Sequence, residues 1–158
     1  MPVIKHVIEA SNQTVTITLT NSLANLSYTA PSTAIDNNTA GSGTVPWLYA
    51  DFYLTLPSID PVAGGYVGLY ILPALTVANT TYASAVITAS GAVSPGEGFL
   101  AGVFPLIDTA GIVSSVASNV ALPAGRFKVM LGNFAGVAWS SNNAAGALEF
   151  RRHNFDVS

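Results

Sequence analysis

Hydrophobic and polar residues alternate with a period of two along much of the chain, most clearly in WLYADFYLTL, residues 47–56. Such a period is typical of a β-strand, because successive side chains point to opposite faces of the sheet. One face of this stretch is apolar and predicts a contribution to a core. The other face carries three large aromatic residues and a carboxylate, and what it contacts is the main question. The apolar face is Leu48, Ala50, Phe52, Leu54 and Leu56, and the opposite face is Trp47, Tyr49, Asp51, Tyr53 and Thr55.

Similar alternation predicts further strands, whereas apolar series with helical spacing are almost absent. TVTITLT, residues 14–20, has three apolar side chains on one side and hydroxyls on the other. In RFKVMLG, residues 126–132, we expect Phe127, Val129 and Leu131 to point inward. Residues 21–45 read mainly as loop, and residues 108–123 give no clear assignment. The remaining predicted strands are 65–73, 83–89, 98–106 and 147–154.

The two clearest strands, around residues 50 and 70, predict a hairpin. In an antiparallel register that places Leu54 opposite Val67, the apolar faces of both strands coincide. The same register brings Tyr53 over Gly68, where the absence of a side chain leaves room for a ring. Aromatic side chains from both strands would then project from one side of a single hairpin.

Regularly spaced strands separated by Gly and Pro predict an all-β fold, a single-domain antiparallel β-sandwich. Its 158 residues suit one domain, which we place at residues 1–158. Two alternatives stay open for the N-terminus. Residues 1–12 form an extended arm that adds a strand to a neighbouring molecule, or residues 2–8 form the first strand of the domain's own sheet, which we favour.

The composition narrows the classes of function. Charged residues make up only 8% of the chain, so its surface depends on Thr, Ser and Asn or is covered by partners. The few basic residues form no stripe, which argues against nucleic-acid binding; Arg151 and Arg152 are interpreted as solvated charges. The uncharged residues 61–96 are broken by Gly, Pro and Asn, so no membrane helix is predicted. Without cysteine, disulfides and thiolate metal sites are excluded.

Catalytic patterns are missing, and we predict that the protein is not an enzyme and has no catalytic, metal or cofactor site. His6 and His153 lie near opposite ends, without a nucleophile motif or a zinc-binding pattern. DNNTAG, starting at Asp36, begins like a calcium loop but lacks the fifth-position acid, and Trp47 stands where the bidentate Glu belongs. An Asx-type turn is the preferred interpretation, with calcium as the alternative.

The aromatic face allows three interpretations. It is covered by another part of the same chain, such as the first forty residues; it is a protein–protein interface; or it is a platform on which sugars stack. The last interpretation needs more Asp, Asn and Arg between the rings than the single Asp51. The interface candidates are Trp47, Tyr49, Asp51, Tyr53, Tyr66 and Tyr70.

A family resemblance adds to these observations. The blocks AIDNNT, ADFYLTL, GGYVGLYILPAL, FLAGVFPL and LPAGRFKVMLGNFAG, in this order, resemble capsid decoration (cement) proteins of tailed bacteriophages. The resemblance covers residues 21–154 and departs at LPALTVANTTY, which lacks the expected acidic, glycine-containing turn. It implies a jelly-roll-like sandwich on the capsid exterior, made in the host cytoplasm. It further implies a homotrimer at three-fold positions that clamps the major capsid protein.

The function predicted from the sequence is therefore that of a structural virion protein that stabilises a phage head. The alternative, from a different class, is a carbohydrate-binding or host-attachment module of the tail-fibre or adhesin type. Loss of head binding on replacement of Tyr53 or Tyr70 by alanine would support the first. A glycan-binding signal that Tyr53→Ala abolishes would support the second.

Overall fold

The computed structural model describes residues 4–19, 22–37, 46–75, 82–83, 86–87, 93–95, 99–140 and 146–157. Within these ranges there is no α-helix, and therefore no helix long and apolar enough to cross a membrane. The chain forms twelve described strands. They are β1 (Ile4–Ile8), β2 (Gln13–Thr14), β3 (Ser27–Tyr28), β4 (Ile35–Asp36), β5 (Tyr49–Ile59), β6 (Tyr66–Pro73), β7 (Val86–Ile87), β8 (Val93–Ser94), β9 (Leu100–Pro105), β10 (Gly111–Ala121), β11 (Arg126–Phe134) and β12 (Ala147–Val157).

Two antiparallel sheets form a sandwich with jelly-roll topology. Sheet A has the order β1-β12-β5-β10 with β2 beside β12, and sheet B has the order β3-β11-β6-β9 with β4 beside β11. The pairs β1–β12, β3–β11, β5–β10 and β6–β9 are nested in the chain, as in one long hairpin rolled into two sheets. This wrapping is the double Greek key of a jelly roll. The predicted all-β sandwich and its jelly-roll character are confirmed.

The core lies between the sheets and is made of the inward faces that the alternation predicted. Phe127, Val129 and Leu131 of β11 are fully buried. They face the apolar side of β5, including Phe52 and Leu54, within one continuous hydrophobic cluster. Along each strand of the sandwich, side chains that point into the core alternate with side chains on an outer face. For this reason the period-two patterns located most of the strands.

The predicted hairpin between β5 and β6 is wrong. The two strands belong to different sheets: Leu54 is the register partner of Ser115 and Leu148, and Val67 is the partner of Phe104 and Asn133. Residues 60–65 lead the chain from one sheet to the other. The apolar faces of β5 and β6 therefore meet across the core instead of lying side by side.

Several strand boundaries also differ from the prediction. Leu48 is predicted to lie in the core but is exposed, because β5 begins at the next residue and the Leu48 N–H donates to Asn154 Oδ1 at 2.6 Å. The predicted strand 14–20 is reduced to β2, although Val15 and Leu19 are buried as expected. Residues 108–123, left unassigned, contain the eleven-residue β10.

The N-terminal residues are attached to the last strand. β1 pairs with β12 over five residues, and Glu9 follows directly. The Glu9 carboxylate forms an ion pair with the Arg152 guanidinium, with 2.6 Å between Oε1 and Nη2. Only 14% of the Glu9 side chain and 11% of the Arg152 side chain are exposed. The prediction that Arg152 is a solvated charge is wrong, because Arg152 forms a largely buried ion pair with Glu9. Arg151 is also engaged, donating from Nε to the Glu9 carbonyl at 2.8 Å.

Candidate functional site

The predicted aromatic face is divided between the two sides of the sandwich. Tyr49, Asp51 and Tyr53 point outward from sheet A, whereas Tyr66 and Tyr70 point outward from sheet B. This separation follows from the placement of β5 and β6 in different sheets. The expectation of one continuous aromatic face on a single hairpin is therefore wrong.

Trp47 lies outside the strand and does not belong to either outer face. It is partly buried and packs against the main core, with the Arg152 guanidinium 5.9 Å from its ring centroid. Its carbonyl accepts a hydrogen bond from the buried Asn37 side chain at 2.8 Å. These contacts give Trp47 a structural role at the end of the sandwich.

On the outer face of sheet A, aromatic side chains of β1, β5 and β12 contact one another. Tyr49 stacks on His153 with 5.8 Å between ring centroids, and His6 meets the same imidazole edge-on at 5.0 Å. Asp51 Oδ1 accepts the Asn119 N–H at 2.8 Å and lies 3.6 Å from His153 Nε2. The fold thus brings together two histidines that are far apart in sequence. Asp51 in turn binds the backbone of β10 where its register with β5 is irregular.

On sheet B, a second apolar cluster covers part of the outer face. Tyr70 is only 5% exposed and meets Tyr28 edge-on at 5.5 Å. Phe134 contacts the same Tyr28 ring at 5.9 Å. Tyr28 belongs to the first forty residues, so burial within the same chain accounts for Tyr70. The members of the cluster are Tyr70, Leu72 and Met130, with Tyr28, Phe99 and Phe134 packed against them.

Two glycines make this cluster possible. Gly68 and Gly132 are register partners on β6 and β11. A Cβ on Gly132 would lie 2.7 Å from the Phe134 ring and 2.9 Å from the Tyr28 ring, and a Cβ on Gly68 would lie 2.9 Å from the Tyr70 ring. The expectation that Gly68 leaves room for an aromatic ring holds, but the rings come from sheet B and not from Tyr53.

Three of the predicted interface tyrosines remain at least partly exposed: Tyr49, Tyr53 and Tyr66. Tyr66 is 37% exposed and stacks on Phe134 at 4.9 Å. Tyr53 is partly exposed between Val116 of β10 and Glu149 of β12. Because Tyr66 faces the opposite side of the sandwich from Tyr49 and Tyr53, the three rings cannot form one platform.

The described residues contain no group of three or more His, Asp or Glu side chains placed to hold a metal ion. Asp36, the first residue of the loop weighed for calcium, instead pairs with Arg126 at 3.2 Å. The rest of that loop, residues 38–45, lies outside the described residues.

The most unusual surface is one that the sequence patterns did not reveal. Strands β9 and β10 end the described orders of sheets B and A, and they contact each other along one side of the sandwich. We call residues 100–121, which comprise both strands and their connection, the β9–β10 side. Asp108 is its single charged residue. Exposed apolar side chains lie along it: Leu100, Val103, Ile107, Ile112 and Val116.

The two ends of the β9–β10 side differ in shape. At one end Ile107 and Ile112 are 72% and 74% exposed and flank a small, partly enclosed groove. At the other end a wider and flatter apolar groove opens between the sheets. Ser115 Oγ donates to the Pro105 carbonyl at 2.8 Å and joins the last residue of β9 to the middle of β10. The wider groove is lined by Ile71, Pro73, Phe99, Leu100, Ala101, Ala121, Leu122 and Pro123.

A signal for this surface was present in the sequence. Residues 98–125 contain one charge, yet they form two strands at sheet ends. Edge strands are usually protected by charges, because an exposed edge attracts further strands. A long uncharged edge therefore points to a covered surface, but it can be recognised only once the strand order is known.

Comparison with known proteins finds only solved structures of low similarity. No protein-family model and no curated protein matches the chain. A carbohydrate-binding module CBM36 in complex with calcium and xylotriose is 13% identical, with a TM-score of 0.37 over 98% of this chain and 99% of that one. A chain of Desmodium yellow mottle tymovirus is 13% identical, with a TM-score of 0.33 over 100% and 89%. A chain from the full particle of Israeli acute paralysis virus, heated to 63 degrees, is 10% identical, with a TM-score of 0.30 over 100% and 73%. Similar structures thus include carbohydrate-binding and viral proteins, and they favour neither function.

Proposed function

We propose that this chain is a structural virion protein that decorates the outer surface of a tailed-phage head and stabilises its shell. The β9–β10 side is the observation that carries the proposal. It combines the long, uncharged β10 with Ile107 and Ile112, two of the most exposed apolar side chains among the described residues. Exposed apolar surface of this kind marks an association site. The low charge of the whole chain, 8%, fits a protein whose surface is largely covered by partners.

The partners we propose are the major capsid protein and other copies of the chain, on the exterior of the virion. The family resemblance implies homotrimers at three-fold positions. Tyr49, Tyr53 and Tyr66 are the interface tyrosines that remain at least partly exposed. Tyr70 serves the fold of sheet B, so an alanine there would disturb folding before it reports on binding.

Binding to heads tests this proposal. Purified protein is mixed with expanded, undecorated heads of the phage that carries this gene, and co-sedimentation and the temperature of shell rupture are measured. We expect saturable binding and a higher rupture temperature. Ile112→Asp should weaken binding, while Leu26→Asp, at a similarly exposed apolar residue on β3's side of sheet B, should not. Heads that neither bind the protein nor gain heat resistance would refute the proposal.

The carbohydrate-binding alternative keeps one supporting observation. Tyr66 presents an exposed ring stacked parallel to Phe134, with an interplanar angle of 19°. Aromatic faces of this kind can stack on sugar rings. A glycan array decides the matter: a signal that Tyr66→Ala abolishes would support this alternative over decoration, and a blank array would remove it.

A further inference from the structure

We propose that the β9–β10 side binds the same side of a second copy, related by a two-fold axis. The two β10 strands run antiparallel, so that the exposed isoleucines of each copy enter the wider groove of the other. This inference rests on the proposed function insofar as both assign the β9–β10 side to assembly. It goes further by naming the occupant of that side and the register of the contact.

The shape of the side is self-complementary in this orientation. Ile112 lies near the start of β10, and Ala121, its last residue, lines the wider groove. Rotation by 180° about an axis between Val116 and Ala117 exchanges these two ends. Each copy then contributes one protruding end and one groove, which is the property required of an isologous interface.

Charge favours the antiparallel over the parallel arrangement. Asp108 is the single charge of the side and lies next to Ile107. Parallel strands would bring the two Asp108 carboxylates together and leave both grooves empty. In the antiparallel arrangement the carboxylates lie at opposite ends of the interface.

The available area is sufficient for a stable pair. At about 3.4 Å per residue, an eleven-residue strand extends about 37 Å. Two sheets lie about 10 Å apart, and with their flanking side chains this side is about 20 Å wide. The product, about 700 Å² per copy, approaches the roughly 800 Å² per partner of a standard interface.

The first test is the molecular mass in solution, measured by light scattering over a dilution series. We expect twice the 16.2 kDa mass of the chain. Ile112→Asp should weaken the pair at least tenfold, whereas Leu26→Asp should leave it unchanged. A monomer at high concentration overturns the inference. A trimer also overturns it and favours the three-fold arrangement implied by the family resemblance.

Cysteine cross-linking tests the register, because the chain has no cysteine of its own. Under mild oxidation Val116→Cys should form a covalent dimer, since it lies beside the axis. Ile112→Cys alone should not cross-link, because its two copies would be about 30 Å apart; mixed with Ala121→Cys chains, it should cross-link to them. Self-linking of Ile112→Cys chains would indicate parallel strands and overturn the proposed register.

Because Ile112→Asp is expected to weaken both the pair and the binding to heads, the wild-type protein separates the two proposals. A two-fold pair that does not bind heads would retain this inference and refute the proposed function. Heads stabilised by a protein that is monomeric or trimeric in solution would retain the function and refute the pair.

Discussion

At the scale of single residues, Glu9 holds the N-terminal strand to β12 through one ion pair. Glu9→Gln leaves the Arg152 guanidinium largely buried without its counter-charge. We expect the free energy of unfolding in urea to fall by about 3 kcal/mol. Asp36→Asn is the matched control, because the Asp36–Arg126 pair is 38% and 46% exposed, and it should lose less than about 1 kcal/mol. Equal losses in both variants would show that burial does not determine the strength of these pairs.

Gly132 is a second decisive residue, since two rings occupy the space that a side chain would fill. Gly132→Ala should displace Phe134 or Tyr28 and destabilise the fold by about 2 kcal/mol. Tyrosine signals in the near-UV circular dichroism spectrum should change as well. Gly102→Ala is the control: its Cβ would lie 3.2 Å from Val120 and 3.3 Å from Ala117, away from the aromatic cluster. An unchanged spectrum for Gly132→Ala would contradict the packing described for sheet B.

At the scale of elements, β10 is irregular where it meets Asp51. Its register with β5 shifts between Ala117 and Val120, and Asn119 has a positive φ of 54°. The Asp51 carboxylate accepts the Asn119 N–H, so Asp51→Ala should destabilise the protein by about 1 kcal/mol. It should also accelerate hydrogen exchange of the Asn119 amide. Asp51→Asn keeps an acceptor and should remain closer to the wild type; rapid exchange in the wild type would contradict this role.

The elements also show what could be predicted from sequence. Alternation located the inward faces of β5, β6 and β11, because burial of one face depends only on a period of two. It could not identify their neighbours, since two strands with the same inward face can either share a sheet or oppose each other across the core. The predicted Leu54–Val67 pairing failed for this reason. β10 was missed because its irregularities interrupt the period and its residues are small.

At the scale of the whole molecule, the candidate site depends on topology and therefore could not be found by reading the strands one at a time. A jelly roll brings β9 and β10, neighbours in the chain, to the ends of two different sheets on the same side. Exposed residues such as Leu100, Ile107 and Ile112 thereby come to strands on the same side, although Val103 and Val116 project from opposite faces of the sandwich. The same topology distributes the aromatic residues of β5 and β6 over opposite faces of the sandwich.

The chemistry of the β9–β10 side gives the last prediction, which concerns salt. Contacts between charges weaken as the Debye length falls from about 10 Å at 0.1 M to about 3 Å at 1 M salt. The side carries only Asp108, so burial of apolar surface must provide most of its association energy. The dissociation constant of the pair, measured by sedimentation, should therefore change less than about threefold between these salt concentrations. The heat capacity change on association should be negative, as expected for burial of apolar surface. A steep loss of affinity with salt would contradict the proposed surface. It would indicate that charged residues outside this surface, such as Arg126 and Lys128, carry the association instead.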